Sequence, residues 1–209
     1  WCSYKGSGLP GCCEPFSWNE DFAAALSSWD VTSSSEGDIL GGAAWSVPVP
    51  LIPGLGPEHK FHNAAYALWY GVTGLSSIMG GVPSYLPEAN PLFPGEVVLP
   101  VATTTSPAIA LPDSQFPVLS FWIYVDVEFD PARDLVAISI VDGAEVTEVW
   151  NKTALTTAEY KTWKEVSVDV SAWAGKSVSL RFAYDAVIMP EQPLAGIYVD
   201  DLSVSVDCD

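Results

Sequence analysis

Two adjacent aspartates near the end of the chain are the first residues whose chemistry the sequence suggests. Tyr198, Leu202 and Val204 recur with the period of two that is typical of a half-buried strand. This alternation predicts that Asp200 lies on the apolar face with them and that Asp201 points the other way. Because a carboxylate facing a core is costly unless it is hydrogen-bonded or bound to a metal, we expect Asp200 to have a specific partner.

A second group combines aromatic and acidic side chains on one predicted strand. Trp122 and Tyr124 alternate with inward-facing apolar residues, and Asp126 and Glu128 continue the same outward face. Aromatic rings flanked by carboxylates can stack on sugar rings and bond their hydroxyls, so these four residues form a candidate glycan site. Burial of the two aromatics under a loop or in a subunit interface is the alternative, and the sequence favours it.

The same strand offers little support for catalysis. Asp126, Glu128 and Asp130 have the composition of a glycosidase pair, but an acid catalyst needs a cleft and a pKa raised by burial, and the sequence predicts neither. His59 and His62 lack the order of the H-E-x-x-H zinc motif, so a loop role is favoured over a zinc site. Neither a nucleophile elbow nor a phosphate-binding glycine loop occurs.

Charge and hydropathy exclude two classes of partner. The net charge is −18 with only 8 lysines and arginines, which argues against nucleic acid and anionic membranes. Although 49% of the residues are hydrophobic, no run is apolar enough to span a membrane. The chain begins at Trp1 without a hydrophobic leader, which suggests a processed mature chain or an excised domain.

The four cysteines are confined to the ends of the chain. Cys2, Cys12 and Cys13 lie in a glycine-containing arm, residues 1–15, and the fourth is Cys208. An even number suggests two disulfides and an oxidising compartment. Since a bond between two adjacent cysteines is unfavourable, Cys208 is expected to pair with Cys12, Cys13 or Cys2, which would tie the arm to the end of the chain.

Beyond this arm, residues 16–209 are predicted to form a single all-β domain. No segment has a sustained helical period, and short strands at close spacing favour a sandwich. Strands are predicted at 16–22, 29–32, 45–47, 64–71, 119–128, 136–140, 146–150, 165–170, 177–184 and 196–204. Their order and length are those of two packed antiparallel sheets.

Two long proline-rich connections interrupt the strands. They cover 47–57 and 82–101, and they are too apolar for flexible linkers. We expect them to form an interface with another protein chain, identical or not, because a contiguous apolar patch usually marks a contact site. The predicted interface residues are Leu51, Ile52, Leu55, Tyr85, Leu86, Leu92 and Phe93.

Several short motifs follow one another in an order that is found in a known family. They are Phe22 with 29–31 (WDV), 64–71 (AAYALWYG), 106–111 (SPAIAL), 119–122 (LSFW), 168–176 (VDVSAWAGK), 180–182 (LRF) and 198–202 (YVDDL). Together they resemble MAM-like jelly-roll domains, including accessory β-sandwiches of secreted immune-inhibitor-A-type peptidases. The resemblance covers about residues 16–206. It implies a two-sheet jelly roll, extracellular use and no catalysis by the module itself.

The resemblance also implies a bound cation where the first and last strands meet. Oxygen-rich sites of this kind suit Ca²⁺, which binds six to eight carboxylate and carbonyl oxygens. The candidate ligands are Glu20, Asp21, Asp38, Asp200 and Asp201. The alternative is that Asp200 accepts backbone N–H groups or pairs with Arg181.

These observations predict an extracellular, non-catalytic interaction module that serves as a subunit or accessory domain of a secreted or cell-surface assembly. Adhesion, oligomerisation or docking through the proline-rich loops would be its role. The alternative function is a carbohydrate-binding module that uses Trp122 and Tyr124.

Overall fold

The structure, a computed structural model, is all-β. It describes residues 16–24, 26–33, 43–48, 60–62, 66–72, 101–113, 116–130, 132–186 and 194–206. These ranges contain twelve strands in two antiparallel sheets and three short 3₁₀ helices, at Lys152–Ala154, Thr157–Glu159 and Ser171–Trp173. Within the same ranges no helix is long and apolar enough to cross a membrane. The predicted all-β jelly-roll sandwich is confirmed.

One sheet, called the front sheet, is built around the last strand. Its strands are β1 (Phe16–Glu20), β3 (Ala43–Ser46), β4 (Leu68–Val72), β7 (Val118–Asp126), β10 (Trp163–Asp169) and β12 (Gly196–Val206). The strand order is β10-β7-β12-β4-β3, and β1 also pairs with β12. On one side β12 pairs with β7. On its other side β4 and β1 follow one another, β4 opposite the first half of β12 and β1 opposite the second half.

The other sheet, called the back sheet, also has six strands. Its strands are β2 (Asp30–Ser33), β5 (Val101–Thr105), β6 (Ile109–Ala110), β8 (Asp134–Asp142), β9 (Glu145–Asn151) and β11 (Ser177–Ala186). The order is β2-β5-β11-β8-β9, and β6 pairs with the start of β11. Every strand pair recorded in either sheet is antiparallel.

The core lies between the two sheets and is rich in aromatic contacts. Tyr70 of β4 stacks on Tyr184 of β11 with ring centroids 4.2 Å apart. Phe121 of β7 meets Trp150 of β9 edge to face at 6.0 Å. Such pairs add about 0.5–1.5 kcal/mol each beyond the burial of their area. These contacts join the two sheets through their inner faces, so the other face of the front sheet points away from the core.

The period-two patterns predicted most strand positions, with differences at strand ends. The first strand ends at Glu20 rather than Phe22, because Phe22 has a positive φ of 57° that breaks the strand. The edge strand β3 covers Ala43–Ser46 instead of 45–47. The next predicted strand, 64–71, is observed as β4 at Leu68–Val72.

A β-bulge in β12 overturns the predicted faces of the last strand. Asp200 is opposite Trp122, but the next pair is Ser203 with Ser120, so β12 contains one extra residue between them. Asp201 lies in the bulge and has a φ of +49°, a conformation that aspartate tolerates better than most residues. Because one extra residue reverses the alternation, Leu202 faces the core while Asp200 does not. The prediction that Asp200 and Tyr198 share the core face with Leu202 and Val204 is wrong.

Candidate functional site on the outer face of the front sheet

Four aromatic side chains form a row across the outer face of the front sheet. Trp163 of β10 is opposite Tyr124 of β7, Tyr124 is opposite Tyr198 of β12, and Tyr198 is opposite Trp69 of β4. Directly opposed residues of antiparallel strands project from the same face, which brings their rings into contact. The centroid distances along the row are 5.8, 5.9 and 6.0 Å.

The neighbouring row places Trp122 between two acidic residues. Glu165 of β10 is opposite Trp122 on one side, and Asp200 of β12 is opposite it on the other. Glu165 is exposed, Trp122 is half-buried, and Asp200 is only 1% exposed. The bulge decides this arrangement, because it leaves Asp200 on the outer face instead of in the core.

Segment 60–62 crosses this face and explains how Asp200 is buried there. The backbone N–H of His62 donates to Asp200 Oδ2 at 2.9 Å, and the backbone N–H of Asp201 donates to Asp200 Oδ1 at 2.8 Å. The His62 ring stacks on Trp122 with centroids 3.8 Å apart and meets Trp163 edge-on at 5.6 Å. Its Nδ1 lies 2.6 Å from Asp201 Oδ2. Bonding of backbone N–H groups, the alternative predicted for Asp200, is what the structure contains.

The accessible part of this face is smaller than the full row. Tyr198 is fully buried, and its hydroxyl accepts a hydrogen bond from the backbone N–H of Lys60. The Trp69 indole is also buried and donates to the Ala195 carbonyl at 2.9 Å. Three half-buried aromatic side chains remain within reach of a ligand. These are Trp122, Tyr124 and Trp163, which we call the aromatic platform.

Burial also controls the protonation of the platform tyrosine. Desolvation raises the pKa of Tyr124, and the nearby Asp126 carboxylate raises it further. Burial likewise raises the pKa of Tyr198, with Tyr124 as a smaller cause. At neutral pH both hydroxyls are therefore protonated. Tyr124 can donate a hydrogen bond to a ligand oxygen.

The Asp126 carboxylate, beside Tyr124, is engaged by a backbone N–H group and a nearby cation. Asp126 Oδ2 accepts from the Ala195 backbone N–H at 3.0 Å, and Lys161 Nζ lies 3.1 Å from Asp126 Oδ1. The second contact is an ion pair that lacks the geometry of a directed hydrogen bond. The Lys161 side chain is 59% exposed. Exposed ion pairs contribute about 0–1 kcal/mol, so Lys161 can rearrange when a ligand binds.

The predicted ligand-binding set is only partly brought together. Trp122, Tyr124 and Asp126 share the outer face as predicted, although Asp126 is buried. Glu128 lies two residues beyond the end of β7, in the connection to β8. Its backbone N–H donates to Asp134 Oδ2 at 2.9 Å, and its carbonyl accepts from Lys152 Nζ at 2.8 Å. These bonds give the backbone of Glu128 a structural role in that connection.

The predicted calcium ligands have other partners in the structure. Glu20 accepts hydrogen bonds from the Phe22 backbone N–H at 2.9 Å and the Trp29 indole N–H at 3.3 Å. Asp21 accepts from the backbone N–H two residues on, and Asp38 lies outside the described residues. In the part of the chain that the structure describes, no three His, Cys, Asp or Glu residues are grouped so that they could hold a metal. The calcium site stays a prediction.

Two further sets of predicted residues cannot be placed. The cysteines Cys2, Cys12, Cys13 and Cys208 lie outside the described residues. The same holds for the interface set Leu51, Ile52, Leu55, Tyr85, Leu86, Leu92 and Phe93. The disulfide and the loop interface therefore stay predictions.

Sequence reasoning missed two residues of the site. Trp163 precedes an alternating run and has the same parity as Glu165, so the pairing of β10 with β7 would have placed it beside Tyr124. His62 comes from a segment outside any strand, and its position on Trp122 follows from tertiary packing alone. No pattern in the sequence predicts that contact.

With this geometry known, comparison with solved structures identifies similar folds. The K1 cleaved adhesin domain of Lys-gingipain from Porphyromonas gingivalis has a TM-score of 0.51 at 15% identity, covering 92% of this chain and 99% of that domain. The K3 domain of the same protein also gives 0.51, at 18% identity over 90% and 97%. The chain shares the fold of these adhesin domains. Identities this low establish the fold and nothing more.

A carbohydrate-binding module is less similar than these two adhesin domains. A family 11 carbohydrate-binding module of a Clostridium thermocellum cellulosomal cellulase has a TM-score of 0.44 at 12% identity, covering 90% of this chain and 94% of the module. That score is too low to support an argument. No protein-family model matches the sequence, and no curated protein matches it at a significant level. The MAM-like resemblance is not confirmed.

Proposed function

We propose that this chain is an extracellular, non-catalytic binding module whose ligand is a glycan held on the outer face of the front sheet. The observation that carries the proposal is the aromatic platform of Trp122, Tyr124 and Trp163. Three half-buried aromatic side chains lie on two neighbouring strands of this face. Large aromatic rings remain exposed at a cost unless something covers them, and sugar rings have the flat C–H faces that stack on them.

Hydrogen-bonding groups at the edge of the platform suit the hydroxyls of a sugar. The Tyr124 hydroxyl and the indole N–H groups of Trp122 and Trp163 can donate, and the exposed carboxylate of Glu165 can accept. A site with apolar planes and a few polar groups around them is typical of small-ligand recognition. The platform therefore supports binding through stacking for affinity and hydrogen bonds for orientation.

The acidic groups on the face favour binding over hydrolysis. Asp200 is engaged by two backbone N–H groups, and Asp126 is engaged by a backbone N–H and Lys161. A glycosidase needs two carboxyl groups facing a cleft, one of them kept protonated by burial. Both aspartates are thus already engaged by groups of the chain itself and do not face a cleft as a free pair. An extracellular setting accords with the adhesin domains of similar fold and with the predicted disulfides.

A glycan array tests the proposal when it is probed with three proteins. Wild type should bind a subset of oligosaccharides, and Trp122→Ala should weaken that binding about tenfold or more. Phe116→Ala is the matched control, because Phe116 is a 79% exposed aromatic outside the platform. Circular dichroism establishes that each variant is folded. If wild type binds no glycan but recovers a protein from its native source, the predicted loop interface becomes the better account.

A further inference from the structure

We infer that the glycan bound by the platform carries positively charged amino groups, as in a polymer of glucosamine whose amines are free. The inference rests on the proposed function and specifies the substrate class of the same site. Two observations support it: the acidic residue beside Trp122, and the His62 ring that stacks on Trp122.

One carboxylate beside Trp122, that of Glu165, has no cation paired with it among the residues that the structure describes. Glu165 is directly opposite Trp122, is exposed, and has no hydrogen bond or ion pair with any residue that the structure describes. Asp201 is 34% exposed on its side chain and contacts His62. Two exposed cations near the platform are paired with other carboxylates, Lys161 with Asp126 and Lys164 with Glu159. An approaching ligand therefore meets the unpaired carboxylate of Glu165 at the Trp122 end of the platform.

The position of His62 shows what kind of group this environment accepts. Its imidazole stacks on Trp122, faces the edge of Trp163 and contacts the Asp201 carboxylate. A nitrogen-bearing ring that is cationic when protonated thus already lies between two indoles and an acid. Cations are attracted to the face of tryptophan by the quadrupole of the ring. Because the His62 ring covers one face of Trp122, an ammonium group on a sugar would bind beside that ring and pair with the Glu165 carboxylate.

The same electrostatics disfavour acidic glycans. A uronate or sialate carboxylate next to Glu165 would be repelled and would have to be desolvated without a cationic partner. The net charge of −18 extends this repulsion to the approach of the ligand. A neutral sugar would gain stacking but would leave Glu165 without a partner of opposite charge.

Three oligosaccharides of one length and one β-1,4-linked backbone test the inference by calorimetry at a single mildly acidic pH. They carry an ammonium, an acetamide or a hydroxyl group at carbon 2: glucosamine, N-acetylglucosamine and glucose oligomers. Wild type should bind the glucosamine oligomer at least about tenfold more tightly than the other two. Glu165→Gln should reduce that preference about two- to fivefold, as expected for an exposed charge contact.

Controls separate recognition from general attraction to an acidic protein. Glu145→Gln removes the same charge from the exposed edge of the back sheet and should leave binding unchanged. Trp122→Ala should lose the glucosamine oligomer, and oligolysine of equal charge should bind wild type far more weakly. Equal binding of all three sugars overturns the amine inference but leaves glycan binding in place. Binding that survives Trp122→Ala, or is matched by oligolysine, also overturns it, whereas binding of no glycan at all overturns the proposed function.

Discussion

At the scale of single residues, Asp200 decides how the outer face is closed. Its carboxylate is nearly inaccessible, yet it lies outside the core, and it is paired with two backbone N–H groups from different segments. One of these belongs to His62, whose ring then covers Trp122. A buried carboxylate that accepts such bonds is stabilised in its charged form. Asp200 thereby fixes the bulge and segment 60–62 together.

Replacement of this carboxylate should therefore cost stability. Asp200→Ala leaves the N–H groups of His62 and Asp201 without their acceptor, so the free energy of unfolding should fall by about 1–3 kcal/mol. Asp169→Ala is the control, because Asp169 also accepts a backbone N–H, that of Ser171 at 2.8 Å, but is exposed. It should cost about 1 kcal/mol or less. Urea unfolding measures both, and equal losses would contradict the role of Asp200.

At the scale of elements, β12 organises the front sheet. It pairs with β7 along one side, and with β4 and then β1 along the other. Its first residues include Tyr198, which belongs to the aromatic row. Gly196 begins the strand with a φ of +92°, and a Cβ there would lie 2.2 Å from the Tyr70 carbonyl oxygen. Only glycine permits this close approach of β12 to β4.

The prediction at this scale compares two glycines with positive φ. Gly143 has a φ of +60°, and no neighbouring atom lies within 4 Å of a Cβ added there. Gly143→Ala should therefore lower the free energy of unfolding by about 1 kcal/mol, from backbone strain alone. Gly196→Ala adds a clash with the backbone of Tyr70 and should cost clearly more, about 3 kcal/mol or above. Thermal unfolding of the two variants measures the difference. Similar melting temperatures would show that β4 and β12 are not held as described.

The elements also show what the sequence could predict. Strict alternation predicted Leu119, Phe121 and Ile123 in the core, and Trp122 and Tyr124 outside it. A strand with one buried face has apolar residues at every second position, so this pattern is visible in the sequence. The faces of β12 were predicted wrongly, since one extra residue shifts the parity and Asp-Asp carries no signal for a bulge. Contacts made by segment 60–62 depend on tertiary packing, which no local pattern encodes.

At the scale of the whole molecule, one buried and two half-buried tyrosines make stability depend on alkaline pH. Burial, with a smaller contribution from Asp134, raises the pKa of Tyr160 to about 12 from its ordinary value of 10.0. Burial also raises the pKa values of Tyr124 and Tyr198. These groups lose protons in the unfolded chain before they do so in the folded one. Unfolding is therefore favoured increasingly as pH rises above 10.

Titration from neutral to strongly alkaline pH tests this linkage. The free energy of unfolding should not change through these tyrosines below pH 10 and should fall between about 10 and 12. Tyrosinate absorbance should lag behind that of the urea-unfolded chain until the fold is lost. If all tyrosines ionised near their ordinary pKa with circular dichroism unchanged, the described burial of Tyr124, Tyr160 and Tyr198 would be contradicted.

The site itself is tested most directly by the indole N–H signals of the tryptophans in a heteronuclear NMR spectrum. Single Trp→Phe variants assign Trp122, Trp163 and Trp150, the last of which packs on Phe121 between the sheets. Titration with the array's tightest-binding oligosaccharide should shift the signals of Trp122 and Trp163 and leave that of Trp150 in place. Saturable binding that leaves the Trp122 and Trp163 signals unmoved would contradict the account.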